Sequence, residues 1–107
     1  MGLKHKIHHG LELPLAKRAI DEAMKAYSAR FGDFNPWFKW KSETEGRLGF
    51  SAKGVKVEGE IDIVGPEIEV ELDVPFILRV FKGKAMEVID KEVRMWVEKA
   101  RNGELDA

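Results

Sequence analysis

The sequence predicts an α+β fold in which a mainly antiparallel five-stranded sheet carries two helices packed on one face. The first observation is a central stretch in which apolar and charged residues alternate with a period of two, as in strands with one buried face. The second is Gly65-Pro66, which interrupts this alternation and predicts an antiparallel hairpin between 55–64 and 67–74. The third is a pair of segments with helical spacing of apolar residues, one early in the chain and one near its end. Amphipathic helices beside half-apolar strands predict a two-layer α+β domain.

The first strand and the first helix are predicted from alternation and then from helical spacing. Along residues 3–8, apolar or histidine residues on one face alternate with basic residues on the outer face, as in a short strand. Pro14 then stands in the first turn of a helix whose apolar stripe reaches Phe31, and Gly32 ends it. The stripe is rich in alanine (Ala16, Ala19, Ala23 and Ala26), so the helix axis is expected to lie close to the sheet.

The remaining elements complete the order β-α-β-β-β-β-α. An aromatic edge strand is expected to begin after Pro36, followed by a polar turn over Ser42 to Gly46 and a third strand up to residue 53. The central hairpin supplies the fourth and fifth strands. The second helix is expected after Gly83 and is expected to end near Asn102.

Charge predicts where the first strand joins the sheet. Its outer lysines, Lys4 and Lys6, would face other lysines beside the aromatic edge strand, but they would face Glu69 and Glu71 beside the fifth strand. Opposite charges across neighbouring strands stabilise a sheet by about 0.2 to 1 kcal/mol per pair, and like charges destabilise it. The predicted order is therefore 1-5-4-3-2, with the strands numbered along the chain.

Composition narrows the class of protein. A chain of 107 residues, with 44% hydrophobic and 35% charged residues, predicts one soluble domain over residues 1–107. It contains no cysteine, which excludes disulfides and cysteine-ligated metals and fits a reducing, cytoplasmic location. The net charge of −1 gives no overall attraction to nucleic acid. No apolar run is long enough for a membrane span, and the first ten residues lack the apolar core of a signal peptide.

Several short motifs occur along almost the whole chain. They are His9-Gly10-Leu11 before the alanine-rich helix, Trp40 with Phe50, Gly54-Val55-Lys56-Val57-Glu58-Gly59, Pro75-Phe76, and Phe81-Lys82-Gly83-Lys84. Together they resemble the polyhydroxyalkanoic acid system proteins, a family of small bacterial proteins. The resemblance implies a role in polyhydroxyalkanoate synthesis or use and an association with the surface of polyester storage granules. It implies no catalytic residues, since none are established for the family.

The residue types that usually form catalytic, cofactor or metal sites are not arranged in a pattern that predicts such a site. On a strand His8 and His9 point to opposite faces, while His5 and His9 share a face at about 13 Å, too far apart for one metal ion. We expect His5 to be partly buried, His8 to be exposed and His9 to hydrogen-bond near the start of the first helix. The regularly spaced glutamates are typical of a solvated face, and no glycine-rich phosphate loop is present.

Two stretches are candidates for binding a surface or a partner. The connection before the second helix is unusually apolar and is followed by two lysines, a composition that suits a polyester or lipid-covered surface. Two further apolar residues fall outside the core stripe of the second helix. The candidate residues are Phe76, Ile77, Leu78, Val80, Phe81, Lys82, Lys84, Val88 and Met95.

The sequence therefore predicts a non-enzymatic accessory or binding protein of polyhydroxyalkanoate metabolism. Its expected partners are the granule surface or granule proteins, without nucleic acid, and the oligomeric state stays open. The alternative is a small carrier of helix-grip type that holds a hydrophobic ligand between the helices and the curved sheet. A closed, dry core would argue against the carrier.

Overall fold

A computed structural model describes residues 2–52, 54–74 and 82–105 of the chain. The elements follow the predicted order. Their bounds are β1 Gly2–His8, α1 Leu13–Arg30, a short 3₁₀ helix Gly32–Phe34, β2 Trp37–Trp40, β3 Glu45–Ala52, β4 Val55–Val64, β5 Glu67–Asp73 and α2 Lys82–Arg101.

The five strands form one antiparallel sheet in the order β1-β5-β4-β3-β2, which confirms the predicted topology. The charge argument that placed β1 is confirmed in the register, where Lys4 lies opposite Glu71 and Lys6 opposite Glu69. Lys6 Nζ lies 3.8 Å from a carboxylate oxygen of Glu69. Opposite charges across this pair of strands therefore agree with the observed order.

The two faces of the sheet differ completely in burial. Side chains on the inner face, such as Ile61, Val70 and Leu72, are fully buried, whereas the outer positions of the same strands carry charges apart from Val64. Both helices lie on the inner face and contribute their apolar stripes to one core. The buried apolar residues are Ile7, Ala16, Ala19, Ile20, Ala23, Met24, Tyr27, Leu48, Val57, Ile61, Ile63, Ile68, Val70, Leu72, Val74, Met86, Ile89, Val93, Val97 and Ala100.

Gly59 lies in the middle of β4, at an inner position where every neighbouring strand residue is large. It pairs with Leu48 on one side and with Leu72 on the other. A Cβ atom at this position would collide with the backbone oxygen of Glu71. The glycine therefore allows β4 and β5 to approach closely where the sheet receives the helices.

Three local predictions need correction. The polar turn is shorter than Ser42 to Gly46, because Glu45 O accepts hydrogen bonds from the backbone N–H groups of Lys41 and Ser42, at 2.7 and 3.2 Å, and β3 begins at Glu45. The second helix already includes Gly83, since α2 begins at Lys82. Ala26 is only half-buried, unlike the other three alanines of the α1 stripe.

Candidate functional site

The predicted binding residues fall into two groups. Residues Phe76, Ile77, Leu78, Val80 and Phe81 lie outside the described residues, as does the side chain of Lys82. The other three lie on α2. Lys84 is exposed in its first turns, Val88 is half-buried against the core, and Met95 is 43% exposed. The described residues therefore offer the exposed Lys84 and Met95 on α2 as accessible members of the predicted surface.

A second apolar surface lies at the opposite edge of the sheet, and we call Phe31, Phe34 and Trp37 the aromatic rim. Phe31 follows the last turn of α1, and its ring centroid is 6.3 Å from that of Phe34 in the 3₁₀ helix. Phe34 is 42% exposed and Trp37 is 38% exposed. Asn35 adopts a left-handed conformation with φ of 49°, which turns the chain from the 3₁₀ helix toward β2. The rim is thus held on short, locally constrained backbone.

On the outer face of the sheet, the Trp37 ring of the aromatic rim packs over a glycine of β3. Trp37 lies directly opposite Gly49 of β3, and its ring covers the space that a side chain at Gly49 would occupy. Lys39 Nζ lies 5.9 Å from the centroid of the Trp37 ring, within the range of a cation–π contact. An exposed ring with an adjacent ammonium group can contact both an apolar surface and a negative charge.

The inner side of the same edge contains a cleft between α1 and β2, with a volume of about 420 Å³. The rings of Phe38 and Trp40 meet edge to face at a centroid distance of 5.2 Å and form one wall. Trp40 Nε1 donates a hydrogen bond of 2.8 Å to Asp21 on α1, and Lys17 Nζ lies 4.8 Å from the Trp40 ring. Met24 lies on the α1 side of the cleft, where it is almost fully buried. The cleft is therefore apolar along its base and charged along its margin.

His9 performs the structural task that the sequence predicted. Its Nδ1 accepts a hydrogen bond from the backbone N–H of Leu11, just before α1, and its Nε2 donates to the carbonyl oxygen of Gly65 at 2.8 Å. Arg101 donates from Nε to the carbonyl oxygen of His9 and from a terminal nitrogen to that of His8, both at 3.0 Å. These contacts join the end of β1, the β4–β5 turn and the end of α2.

The other two histidines also lie where the sequence placed them. His8 is exposed, and the half-buried His5 places its Nε2 2.5 Å from Asp90 Oδ1 on α2. Asp90 in turn accepts hydrogen bonds from Arg94 Nε at 2.9 and 3.0 Å. Within residues 2–52, 54–74 and 82–105, no group of three or more histidine or acidic side chains is arranged to hold a metal ion.

Asp62 is an acid of the outer face with a raised pKa. Burial raises the pKa of its carboxyl group, and the negative charges of Glu60 and Glu45 raise it further. Its buried Oδ1 has no hydrogen-bond partner among the described residues. Since its neighbours are mainly acids that only oppose its ionisation, we assign no reaction to this carboxyl group.

Glu92 was missed in the sequence because it lies among the apolar residues of the α2 stripe. It is almost fully buried, and it accepts hydrogen bonds from Arg30 Nη1 at 2.8 Å and from Trp96 Nε1 at 3.2 Å. The signal that identifies it is the spacing of Glu92 and Trp96, one helical turn apart on the buried side. This carboxylate fixes α2 against the end of α1 and is occupied by that task.

Residues 4–96 match the family described as "Putative polyhydroxyalkanoic acid system protein". The chain belongs to this family. The matched region contains β1 from Lys4 onward, α1, the strands β2 to β5 with the aromatic rim and the cleft, and α2 as far as Trp96. Among proteins with curated functions, none matches the chain at a significant level.

Two of the motifs that resemble the polyhydroxyalkanoic acid system family have a structural role. His9-Gly10-Leu11 is the junction at which the imidazole connects Leu11 and Gly65, and Gly10 has a positive φ of 60° that suits glycine. Gly59, at the end of the 54–59 motif, is the close contact between β4 and β5. These motifs stabilise the fold, so they leave the binding surface to other residues.

Proposed function

We propose that the chain is a non-enzymatic accessory protein of polyhydroxyalkanoate metabolism that attaches to the surface of polyester storage granules. The observation that carries the proposal is the aromatic rim, in which the rings of Phe34 and Trp37 are exposed and the ammonium group of Lys39 lies near the Trp37 ring. Its family supports the metabolic context. Within the described residues, neither helix is long and apolar enough to cross a membrane.

Physical chemistry supports attachment through the rim. Tryptophan is favoured where an apolar phase meets water, because its ring is apolar and its N–H can still hydrogen-bond. Covering the exposed part of one ring would contribute roughly 2 kcal/mol at about 25 cal/mol per Å². The basic side chains at this edge add attraction to negative charge on the granule coat. Two exposed rings and nearby lysines are sufficient for reversible binding.

The apolar connection of Phe76, Ile77, Leu78, Val80 and Phe81 is retained as a second contact in this proposal. It lies outside the described residues, and the exposed Lys84 follows it closely along the chain. Met95, two helical turns beyond Val88, adds an exposed apolar side chain to α2. We treat this surface as independent of the rim, so the two require separate variants.

The non-enzymatic part of the proposal is supported by the roles of the candidate catalytic groups. The imidazole of His9 uses both ring nitrogens in structural hydrogen bonds, and His5 is paired with Asp90. Glu92 is held by Arg30 and Trp96. These groups are committed to contacts that stabilise the fold.

Co-sedimentation of purified protein with native polyester granules tests the proposal. We expect Phe34→Ser with Trp37→Ser to lower the bound fraction by about tenfold, which corresponds to about 1.4 kcal/mol and is within the energy of the two rings. The double variant Ile77→Ser with Leu78→Ser tests the second contact. Val64→Ser is the matched control, because Val64 is a 50% exposed apolar residue on the sheet's outer face, away from the rim.

The result is decided by the pattern of binding, with circular dichroism used to show that each variant is folded. Loss of binding in the rim variant, with normal binding of the Val64 control, supports attachment through the rim. Two double variants that both sediment like wild type contradict attachment through either of these surfaces, and wild-type protein that stays in the supernatant contradicts granule attachment itself. In that case binding of a free fatty acid in the cleft would favour the carrier hypothesis.

A further inference from the structure

The free edge of β2 has unpaired backbone groups beside the cleft. Lys41 directs its N–H to Glu45 of β3, and hydrogen-bonded pairs alternate along an antiparallel ladder. Lys39 and Trp37 therefore also direct their backbone groups to β3, in the register that pairs them with Arg47 and Gly49. It follows that the intervening residues, Phe38 and Trp40, direct their N–H and C=O groups away from the sheet. Since β2 is the last strand in the sheet order, these groups lie at an edge that is open within the described residues.

The cleft gives that edge a second wall. An added strand would lie about 4.8 Å from β2, and its side chains would alternate between the two faces of the sheet. Those on the inner face would enter the cleft, between the rings of Phe38 and Trp40 and the α1 residues Met24 and Ser28. Apolar side chains suit these positions because Met24 is almost fully buried and the two rings are half-buried.

Charge defines the side chains on the other face of such a strand. Lys39 and Lys41 project on the outer face of the edge, next to the positions that outward-facing residues of an added strand would take. Acidic residues there would form a cross-strand pair with Lys39 and would share Lys41, whose Nζ lies 3.7 Å from Glu60, with that carboxylate. The edge therefore fits a segment in which apolar and acidic residues alternate.

A second copy of the same edge fits poorly. Antiparallel pairing of two β2 strands about a two-fold axis would bring the lysines of one copy close to those of the other, and like charges across strands are destabilising. Pro36 before the strand and the lysines on it are features that limit indiscriminate pairing of edges. An acidic partner removes the repulsion.

We propose that the β2 edge and the cleft bind an extended peptide segment of a partner protein, with alternating apolar and acidic residues, as a sixth strand of the sheet. Backbone hydrogen bonds to Phe38 and Trp40 provide the attachment, while the cleft and the edge lysines select the side chains. This inference does not depend on granule attachment: Lys39 is common to both proposals, but strand addition relies on the backbone of Phe38 and Trp40 and on the cleft, which the granule proposal does not use.

The probe is a blocked synthetic peptide of about seven residues in which glutamate alternates with leucine. Titration of the full chain is followed by amide chemical shifts and by hydrogen exchange. We expect exchange of the Phe38 and Trp40 amides to slow by about tenfold or more at saturation, while amides of β1 at the other edge are unchanged. A peptide in which lysine replaces glutamate should bind at least about tenfold more weakly.

Two matched comparisons separate strand addition from general adhesion. N-methylation of the peptide amides that face β2 should abolish binding, whereas N-methylation of the alternate amides should not. The variant Lys39→Glu, which gains a favourable neighbour in Arg47, should weaken binding of the glutamate peptide and strengthen binding of the lysine peptide. Lys6→Glu on β1 is the control and should bind like wild type.

The outcomes are decisive in both directions. Strand addition is established if the Phe38 and Trp40 amides are protected and if Lys39→Glu binds the lysine peptide better than the glutamate peptide. Equal binding of the two N-methylated peptides, or shifts confined to other surfaces, overturns it. Absence of binding at millimolar peptide also overturns it, whatever the granule experiment shows.

Discussion

The two edges of the sheet differ in how the helices hold them. At the β1 edge, Arg101, His9 and Asp90 form a set of hydrogen bonds that joins β1 to α2 and to the β4–β5 turn. At the β2 edge, the described side-chain links to α1 include the hydrogen bond from Trp40 to Asp21 and the contact of Lys17 with the Trp40 ring, and a cleft remains beside them. The difference indicates that the edge with more cross-element hydrogen bonds serves stability, while the edge with exposed rings and an adjoining cleft is suited to binding.

The largest effect is expected from substitutions in the core, which supports both edges. Ile61→Ala and Leu72→Ala should each lower the free energy of unfolding by about 2 to 5 kcal/mol, because both side chains are fully buried in the middle strands. Chemical denaturation measures the change. Glu71→Gln, on the outer face, is the control and should change stability by less than about 0.5 kcal/mol. A larger loss in the control than in the core variants would contradict the assignment of the two faces.

The next effect is specific to the β1 edge. His9→Ala should lower the free energy of unfolding by about 2 to 4 kcal/mol, because it leaves the N–H of Leu11 and the carbonyl of Gly65 without their partner. Thermal or chemical denaturation provides the measurement. His8→Ala should have almost no effect, since that side chain is exposed. Equal stability of the two variants would show that the β1 edge is not held through His9.

The smallest effect concerns the β2 edge. Trp40→Phe removes the hydrogen bond to Asp21 but keeps an aromatic ring in the cleft, so we expect a loss of about 1 kcal/mol. Hydrogen exchange should show faster opening of β2 with little change in β1. If β1 opened to the same extent, the two edges would form one cooperative unit, and the contrast between them would fail.

The fold could be predicted from the sequence because the signals that determine it are either local, as strand alternation is, or additive, as cross-strand charge pairs are. Period-two alternation defines the strands, and the opposite charges of Lys4 and Lys6 against Glu71 and Glu69 select the strand order. Glycines that accommodate rings, as Gly49 does for Trp37, could not be interpreted until the strands were paired. The role of these glycines follows from the strand register and cannot be inferred from the residue type alone.

The candidate site was less predictable, since it depends on contacts between residues far apart in the chain. Nothing in the local pattern places Trp40 beside Asp21 or His5 beside Asp90, because each pair depends on where a helix crosses the sheet. The aromatic edge strand was visible in the sequence, but its open cleft was not. The apolar connection at 75–81, which the sequence favoured for binding, stays a prediction.

The acidic ladder on the outer face also limits how molecules can gather. Glu58, Glu60 and Asp62 of β4 lie opposite Asp73, Glu71 and Glu69 of β5, so like charges face each other along the centre of the sheet. Two molecules brought together through this face would set one negative band against another, at distances within the screening length of about 8 Å at physiological ionic strength. If the protein attaches to granules as proposed, this repulsion would oppose stacking of molecules through their outer faces, so the bound molecules would spread as a single layer.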